Sequence, residues 1–491
     1  DDGRIPGRHR SRYQGLLRGD RQRFAMMPWL SEALGYAGLG HDTGKDTTYF
    51  QGKLVDAQCL EPYRHEWVSL YRLAQLAGET PADLSAVLPE PVTEQGLSLE
   101  TLARHWIMAH HRLPTQSQPS EYEKSHGPER LQQPPELDLE HLQEARLFDV
   151  DPDLAKRLRE QMAALRQRAI PVSAFGGAFL YGRLALMLAD HYASRTLPAS
   201  QARVALEGEE AGSQRPLLAH ARRNKPVELA AKSADADGQQ LGIGDHCRDV
   251  ARLAPRALRQ IAQHERLYPG LSPESRSQIL QRAGPAYRWQ DELTNQLLRI
   301  FRQRAHDDDG GFVVLCAGTG TGKTRAGAKA ATAMNVRRNC RFNTLLGLRN
   351  LTLQTGEAYR QELGLGTQEL TTLIGAIEPR EFKDFHETSE EAADDEQADL
   401  GEQTYQGQSA PRLPRLIAPQ ARTADQRRLL GTPVFVGTID YLMQATATEH
   451  ARHLLPQLRL ASSDVILDEI DDYDLDDLGA ILRLAYQVGA F

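Results

Sequence analysis

Histidine and aspartate residues in the first part of the chain have the types and the order of a metal-binding set. They are His41, Asp42, His65, His110, His111 and Asp190. Imidazole and carboxylate suit first-row transition metals, and one carboxylate can bridge two ions in a site that hydrolyses phosphodiesters. Any one of these histidines alone is more typical of an ordinary buried or capping residue. The ordered set, with Gly44 and Lys45 closing the first motif, favours a metal site.

A second set of residues has the pattern of a nucleotide-phosphate loop. It is Ala317-Gly318-Thr319-Gly320-Thr321-Gly322-Lys323-Thr324. The apolar run that leads into it, from Phe312, is predicted to be a buried strand. Because its glycines lack a Cβ atom, backbone N–H groups of the turn can face phosphate oxygens. Lys323 is expected to neutralise charge on the β- and γ-phosphates, and Thr324 to bind magnesium.

An acidic motif follows much later in the chain. The stretch Asp464-Val465-Ile466-Leu467 is predicted to be a strand that carries Asp468 towards the magnesium ion and Glu469 towards the attacking water. A solvated acidic loop is the alternative, because few apolar residues interrupt the run from 468 to 477. The strand before the pair and the phosphate loop upstream favour the nucleotide interpretation.

The elements that must hold these residues differ between the two halves of the chain. Up to about residue 265, apolar residues recur at spacings of three and four, as in Leu99, Leu102 and Trp106, which predicts helices. After about residue 285, apolar runs of strand length alternate with helical stretches, which is typical of a parallel α/β sheet. The predicted strands are 312–317, 344–348, 433–437 and 465–467.

We therefore predict an all-α domain with the metal site, followed by one parallel α/β domain. The helical domain is assigned to residues 1–215, a linker or helical connector to 216–275, and the α/β domain to 276–491. An acidic stretch at about 386–410 is expected to be a mobile surface insertion, because it contains few large apolar residues.

Composition and charge narrow the class of protein. The chain has 491 residues, of which 40% are apolar and 25% charged, as is typical of a globular protein with several domains. Its net charge of -8 argues against DNA binding by bulk charge. Any contact with nucleic acid would therefore need a local basic groove. One group of arginines could form such a groove, or it could simply be a solvated surface. That group is Arg302, Arg304, Arg337, Arg338 and Arg341.

Cysteine usage and hydropathy predict a cytoplasmic protein with no membrane partner. The four cysteines show no CxxC spacing, which favours a reducing compartment. The longest apolar stretch, residues 179–189, is interrupted by Arg183 and is too short to span a bilayer.

The motifs, taken in order, resemble those of a known family. The order is His-Asp-x-Gly-Lys with Phe50-Gln51 after it, Arg64-His65-Glu66, His110-His111-Arg112-Leu113-Pro114 and Ala189-Asp190-His191, followed by helicase motifs. Together they resemble the HD nuclease/DExD-box helicase of type I CRISPR interference systems. The segments 64–69 and 348–356 look most like the type I-F form, in which the effector is fused to a small integration-associated Cas protein. The likeness extends from about residue 20 to the C-terminus.

The resemblance implies an all-α HD nuclease domain that holds two divalent ions, of the manganese, nickel, cobalt or iron type, or magnesium. One ion would be held by His41, Asp42 and Asp190. The other would be held by Asp42, His65, His110 and His111. Lys45 would stabilise charge on the scissile phosphate.

The family supplies one more histidine, upstream of the His-Asp pair. His9 is the histidine available there, and its neighbours do not match the family pattern. We therefore expect the upstream ligand to lie in a missing N-terminal segment. The sequence is accordingly predicted to be a fragment without the N-terminal fusion.

For the α/β half, the resemblance implies one RecA-like helicase domain that binds ATP and magnesium. Gln290 resembles the glutamine that recognises adenine, with a surface helix start as an equal alternative. Positions expected to contact the DNA backbone are Thr352, Gln354, Thr438 and Asp440. Thr438 is equally well explained as a strand-end cap. Because no second helicase half follows, we expect ATP binding with poor hydrolysis.

The resulting prediction is a CRISPR-associated effector that nicks and degrades target DNA. It combines a metal-dependent nuclease of single-stranded DNA with, in the full-length protein, an ATP-dependent DNA helicase. The predicted partners are the displaced target strand, an RNA-guided surveillance complex and the CRISPR integration protein, with an anti-CRISPR inhibitor as a further candidate. The alternatives are an HD phosphohydrolase of nucleotides with an ATP-sensing domain, and an ATP-gated scaffold.

Overall fold

A computed structural model gives the fold of the chain. It describes residues 20–47, 50, 64–79, 81, 87, 89, 96–111, 152–195, 243–263, 267–303, 311–318, 320–374, 411, 413–421, 423–443, 445–446, 454–470, 473 and 475–490. His9, Thr319 and the acidic stretch at about 386–410 lie outside the described residues.

Helices make up the first part of the chain. In chain order they are α1 (Asp20–Gly40), α2 (His65–Leu76), α3 (Leu99–Ala109), α4 (Pro152–Arg166), α5 (Val172–Arg195) and α6 (Ile243–Ala262). A short antiparallel ribbon pairs β1 (Leu97–Ser98) with β2 (Ala169–Ile170). The apolar faces of the helices meet in a common buried core, as expected from the spacing of three and four residues.

Two hydrogen bonds join the last residues of helix α3 to helix α5. Trp106 is fully buried, and its indole N–H donates a hydrogen bond of 3.1 Å to the carbonyl of Phe179. The guanidinium of Arg183 donates through Nε to the carbonyl of Ala109 at 2.6 Å, where α3 ends. These contacts fix the end of α3 against the helix that carries Asp190.

Helix α6 packs into this helical core, although the sequence predicts a connector over 216–275. Val250, Ala254 and Ala257 are buried, and the helix lies against α1 and α5. The reason is its continuous apolar face, which must be covered, and the neighbouring helices supply the cover. Helix α6, inside the range predicted as a linker or helical connector, thus packs as part of the helical core.

The second part of the chain contains a four-stranded sheet. Its strands are β3 (Phe342–Leu346), β4 (Leu370–Leu373), β5 (Val434–Thr438) and β6 (Asp464–Leu467). They lie in the order β4-β5-β3-β6, and each neighbouring pair is parallel. The predicted parallel sheet is confirmed.

Helices connect and cover these strands. They are α7 (Pro273–Ile279), α8 (Arg288–Gln303), α9 (Lys323–Met334), α10 (Arg349–Leu363), α11 (Ala424–Gly431), α12 (Ile439–Met443), α13 (Leu454–Ala461) and α14 (Leu475–Ala490). Helix α9 begins directly after the glycine-rich turn and contacts β6. The turn therefore lies at the carboxyl end of the sheet, where parallel α/β folds place their ligands.

The prediction of a buried strand over 312–317 is wrong. These residues form no strand, and the side chains of Phe312 and Val314 are 85% and 67% exposed. Val313 packs towards α8 and α9 on the opposite side. An extended run becomes a buried strand only when other strands pair with it and a layer covers it, and here its outward side chains have no cover among the described residues.

The helical part and the α/β part touch directly. Helix α13 lies against α5, and Nε of Arg415 donates to the hydroxyl of Tyr192 at 3.3 Å. Within the described ranges, none of the helices combines the length and the apolar character that crossing a bilayer requires.

Candidate metal centre and nucleotide loop

The turn after α1 places the first metal-ligand candidates against α2. A Cβ atom at Gly44 would stand 2.2 Å from the carbonyl oxygen of His65, so only glycine permits this approach. The hydroxyl of Ser69 donates to the carbonyl of His41 at 2.8 Å and accepts from the N–H of Gly44 at 2.8 Å. The turn that carries His41 and Asp42 is thereby bonded to α2, which begins at His65.

The candidate ligands converge in two buried groups that share one residue. The first group, called here the His41 cluster, is His41, Asp42, Asp190 and His246. The second group, called here the His65 cluster, is Asp42, His65, His110 and His111. Within each group the potential ligand atoms all lie within 4.8 Å of one another. Each residue of the metal set predicted from the sequence is therefore brought into one of the two clusters.

Asp42 presents one carboxylate oxygen to each cluster. Its Oδ2 lies 3.3 Å from Nε2 of His41 and 3.3 Å from Nε2 of His246. Its Oδ1 lies 3.4 Å from Nε2 of His65 and 3.7 Å from Nε2 of His110. A carboxylate in this position is suited to bridging two cations.

Hydrogen bonds behind two of the histidines orient them towards the carboxylate. Nδ1 of His41 lies 2.9 Å from the carbonyl of Gly38, and Nδ1 of His110 lies 2.6 Å from the carbonyl of Ile107. Because a carbonyl only accepts, each Nδ1 carries a proton, and Nε2 is the ring atom that would bind a metal ion, as is usual for metal-bound histidine.

The buried Nε2 atoms of His41 and His110 fit a metal ion. Both make no hydrogen bond among the described residues, although both rings are buried. Buried polar atoms nearly always have a partner, and a cation would supply it for imidazole and carboxylate together. The donor set therefore fits divalent ions of the transition-metal type.

The pKa values of the carboxylates favour ionised ligands. Burial alone would raise the pKa of Asp42, but the charges of His41 and Lys45 hold it well below its usual range. Burial acts on Asp190 in the same direction, and its hydrogen bond to His246 together with the nearby His41 ring holds its pKa well below that range. Both groups are therefore anionic at neutral pH.

The pKa values of four cluster histidines are shifted, two downwards and two upwards. Burial lowers the pKa of His110, and burial together with the charge of His110 lowers the pKa of His111 well below its usual range. Burial alone would also lower the pKa of His41 and of His246. Contacts with the carboxylates of Asp42 and Asp190 outweigh it and raise both pKa values.

Lys45 stands at the edge of the two clusters. Its ammonium lies 2.9 Å from Oδ2 of Asp42 and 5.3 Å from the centre of the Phe50 ring. The side chain is 9% exposed, so its charge acts in a poorly solvated place. It is near enough to compensate negative charge beside Asp42.

His246 was not predicted from the sequence. It lies on α6, its Nε2 is 3.0 Å from Oδ1 of Asp190, and it completes the His41 cluster. Among the described residues, the fourth side chain of this cluster therefore comes from downstream, and the expected upstream histidine stays a prediction. The available signal was a histidine next to the apolar face of an amphipathic helix, which carries little information without the fold.

The nucleotide loop is formed by neighbouring residues. Gly320 and Gly322 have φ angles of 76° and 79°, in the left-handed region that favours glycine. The hydroxyl of Thr321 donates to the carbonyl of Gly318 at 2.6 Å. Helix α9 then begins at Lys323, which directs its N-terminus towards the loop, as in phosphate-binding sites.

The loop and the acidic motif meet as the sequence predicts. The hydroxyl of Thr324 donates to Oδ2 of Asp468 at 3.0 Å, so the two expected magnesium ligands are adjacent. Glu469 has a φ angle of 56°, which is uncommon for a residue other than glycine, and its N–H bonds to Oδ1 of Asp468 at 3.1 Å. This backbone turn follows directly after β6.

Gln290 is attached to the loop. It is 1% exposed, and its side-chain amide donates to the carbonyl of Gly322 at 3.1 Å. The alternative of an exposed helix start therefore does not describe this side chain. Its place beside the loop is compatible with a role near a nucleotide.

The positions expected to contact DNA differ in accessibility. Thr352 is buried, and its hydroxyl donates to the carbonyl of Leu348 at 3.0 Å. Thr438 is buried at the end of β5. Gln354 and Asp440 are exposed, on α10 and α12. The exposed pair is thus better placed for a ligand in solution than the two threonines.

A helical part with two buried histidine and aspartate clusters, joined to an α/β part with a glycine-rich loop, agrees with the arrangement that the motifs predict. No protein-family model matches the chain. It is 31% identical to the CRISPR-associated nuclease/helicase Cas3 subtype I-F/YPEST of Pseudomonas aeruginosa, over 93% of this chain and 45% of that protein. It is 29% identical to the protein of the same description from Pectobacterium atrosepticum, over 92% of this chain and 45% of that protein.

The resemblance inferred from the motifs is confirmed: along most of its length, this chain is similar to Cas3 nuclease/helicases of subtype I-F. It spans 45% of the length of these curated relatives. Among solved structures, T. fusca Cas3-ADP aligns with a TM-score of 0.45 and 17% identity, over 95% of this chain and 43% of that chain. T. fusca Cas3-ATP aligns with a TM-score of 0.44 and 16% identity, over 93% of this chain and 42% of that chain.

Proposed function

We propose that this chain comprises the HD nuclease domain and the first RecA-like helicase domain of a CRISPR-associated nuclease/helicase. The helical domain would extend to about residue 262, because α6 packs into its core, and the helicase domain would begin at about residue 276. The proposed reaction is cleavage of single-stranded DNA. In the full-length protein, ATP bound at the loop would drive unwinding.

The observation that carries this proposal is the position of Asp42 between two histidine clusters. His41, Asp190 and His246 would hold one ion with it, and His65, His110 and His111 the other. Two bound ions supply Lewis-acid stabilisation of the charge that develops on a phosphodiester during hydrolysis. Lys45, beside the same carboxylate, would hold a phosphate oxygen by its charge.

The proposed substrate is the displaced strand of target DNA that an RNA-guided surveillance complex has opened. The similarity to Cas3 nuclease/helicases supports this choice. Nuclease action on an unpaired strand needs no base-specific contact, which is compatible with a site made of metal ligands and one lysine. An integration protein and an inhibitor protein are further proposed partners.

Cleavage of circular single-stranded DNA tests the function. We expect cleavage without ATP when manganese, nickel, cobalt, iron or magnesium is added, and none with chelator. The double substitution His41→Ala and Asp42→Ala should remove it, whereas His105→Ala, whose ring packs near Phe175 outside both clusters, should not. Unchanged cleavage by the double variant contradicts the assignment, and phosphate release from nucleotides alone would favour the phosphohydrolase.

A further inference from the structure

The histidines of the two clusters are supported from behind in different ways. Nδ1 of His41 and Nδ1 of His110 face backbone carbonyls, at 2.9 and 2.6 Å. Nδ1 of His65 instead faces the side chain of Glu66, whose Oε2 lies 3.6 Å away. A backbone acceptor cannot be removed by substitution, whereas a carboxylate can.

Glu66 is held in this position by its neighbours. Its side chain is 1% exposed, and its other oxygen, Oε1, accepts from the guanidinium of Arg64. Arg64 is the residue just before α2, and its side chain is 11% exposed. Since a carboxylate with no partner would be costly to bury, the arginine accounts for one oxygen and leaves the other for the imidazole.

The proton arrangement follows from the chemistry of histidine. A ring that offers Nε2 to a cation must carry its proton on Nδ1, and that proton is normally bonded to a carboxylate, a carbonyl or water. For His65, Nε2 faces Oδ1 of Asp42 at 3.4 Å and Nδ1 faces Glu66. The ring therefore lies between two carboxylates, one on each side.

We propose that Glu66, held by Arg64, is a positioning residue for the His65 cluster. At 3.6 Å, its negative charge rather than a direct hydrogen bond favours a proton on Nδ1 of His65, which leaves Nε2 to face Asp42. The inference rests on the proposed metal site and concerns a residue outside both clusters.

A purely structural role for Glu66 makes a different prediction. Glu66 lies in the first turn of α2, where a negative charge stabilises a helix through its dipole. If its role were only structural, substitution of Glu66 would lower the melting temperature and leave the affinity for ions unchanged. The two roles are separated by measuring ion binding and unfolding on the same samples.

The test is a titration of the full chain with Mn²⁺ by calorimetry, comparing the natural chain with E66Q. The amide is neutral and has one acceptor oxygen where the carboxylate has two. It therefore cannot place a negatively charged oxygen against both Arg64 and His65. We expect the affinity for one ion to fall by about 10- to 100-fold, while the other ion keeps its affinity. The stabilisation by Mn²⁺ in thermal unfolding should fall in parallel.

The matched control is E100Q. Glu100 is also buried in the helical part and also pairs with an arginine, Arg104, but it belongs to neither cluster. E100Q should lower the melting temperature without changing either ion affinity. If E66Q does not fold, R64K supplies the second test, because a lysine cannot reproduce the planar fork that holds the carboxylate.

The outcomes are distinct. Two ions bound by the variant with the affinities of the natural chain, or an equal loss in E100Q, would overturn the proposal for Glu66. A natural chain that binds no Mn²⁺ would instead overturn the proposed metal site. Loss of one affinity in E66Q and in R64K, with E100Q unchanged, establishes the positioning role.

Discussion

The two histidine clusters and the glycine-rich loop, both proposed to bind metal ions and phosphate groups, are constructed in opposite ways. The loop is made of consecutive residues between 317 and 324, and the backbone of one turn shapes it. The clusters draw side chains from α2, from α5, from α6 and from the residues just after α1 and α3. A local site depends on its own turn, whereas a distributed site depends on the packing of the whole helical core.

The clusters also concentrate their function in one side chain, and the loop does not. Asp42 belongs to both clusters, so its loss affects both at once. In the loop, a bound phosphate would be held by several backbone N–H groups and by the side chains of Lys323 and Thr324. Substitutions can therefore test whether the two regions differ as the geometry indicates.

The largest effect is expected for Asp42→Asn. The loss of the shared negative charge should remove both ions and lower cleavage of single-stranded DNA by about 10³-fold or more. Elemental analysis of the purified chain measures the ions, and a DNA assay measures cleavage. Lys323→Ala is the reciprocal control: it should weaken ATP binding and leave the ion content unchanged. If Asp42→Asn kept both ions, the proposal that both clusters depend on Asp42 would be contradicted.

A smaller and more selective effect is expected for His246→Ala. This side chain belongs to the His41 cluster alone, so one ion should bind at least about 100-fold more weakly while the other is kept. Titration with Mn²⁺ measures both affinities. His105→Ala should change neither, and equal loss of both ions in His246→Ala would show that the two clusters do not act separately.

The smallest effect is a difference in pH dependence between the clusters. The raised pKa values of His41 and His246 mean that an ion must displace protons from the His41 cluster, whereas the lowered values of His110 and His111 leave those rings neutral. As the pH falls towards about 6, affinity should decline first in the His41 cluster, by about tenfold per pH unit for each proton displaced. Equal pH profiles in Mn²⁺ titrations would contradict this.

Much of the candidate site could be predicted because it consists of residue types in a fixed order. The motifs predict that Thr324 and Asp468 lie together, and the hydrogen bond between them agrees with that prediction. The parallel sheet was found because strand-length apolar runs alternate with helices. These signals are local, so each can be recognised without knowing what packs against it.

Other features could not be predicted because they depend on which elements become neighbours. His246 was missed since nothing near it in the sequence shows that α6 packs beside His41. The run from Phe312 looked like a buried strand by composition, yet burial depends on partners that the run itself does not encode. The same holds for Ser69, whose hydroxyl joins the turn to α2.

The sequence by itself determined the chemical types available: imidazoles and carboxylates in the first half, and a glycine-rich turn with a lysine in the second. Only the tertiary structure decided that the two oxygens of Asp42 face different histidines and that α6 supplies His246. The physical reason is the separation along the sequence between the residues that interact. Backbone turns are set by neighbouring residues, whereas ligands from distant helices meet only after their apolar faces have packed into one core.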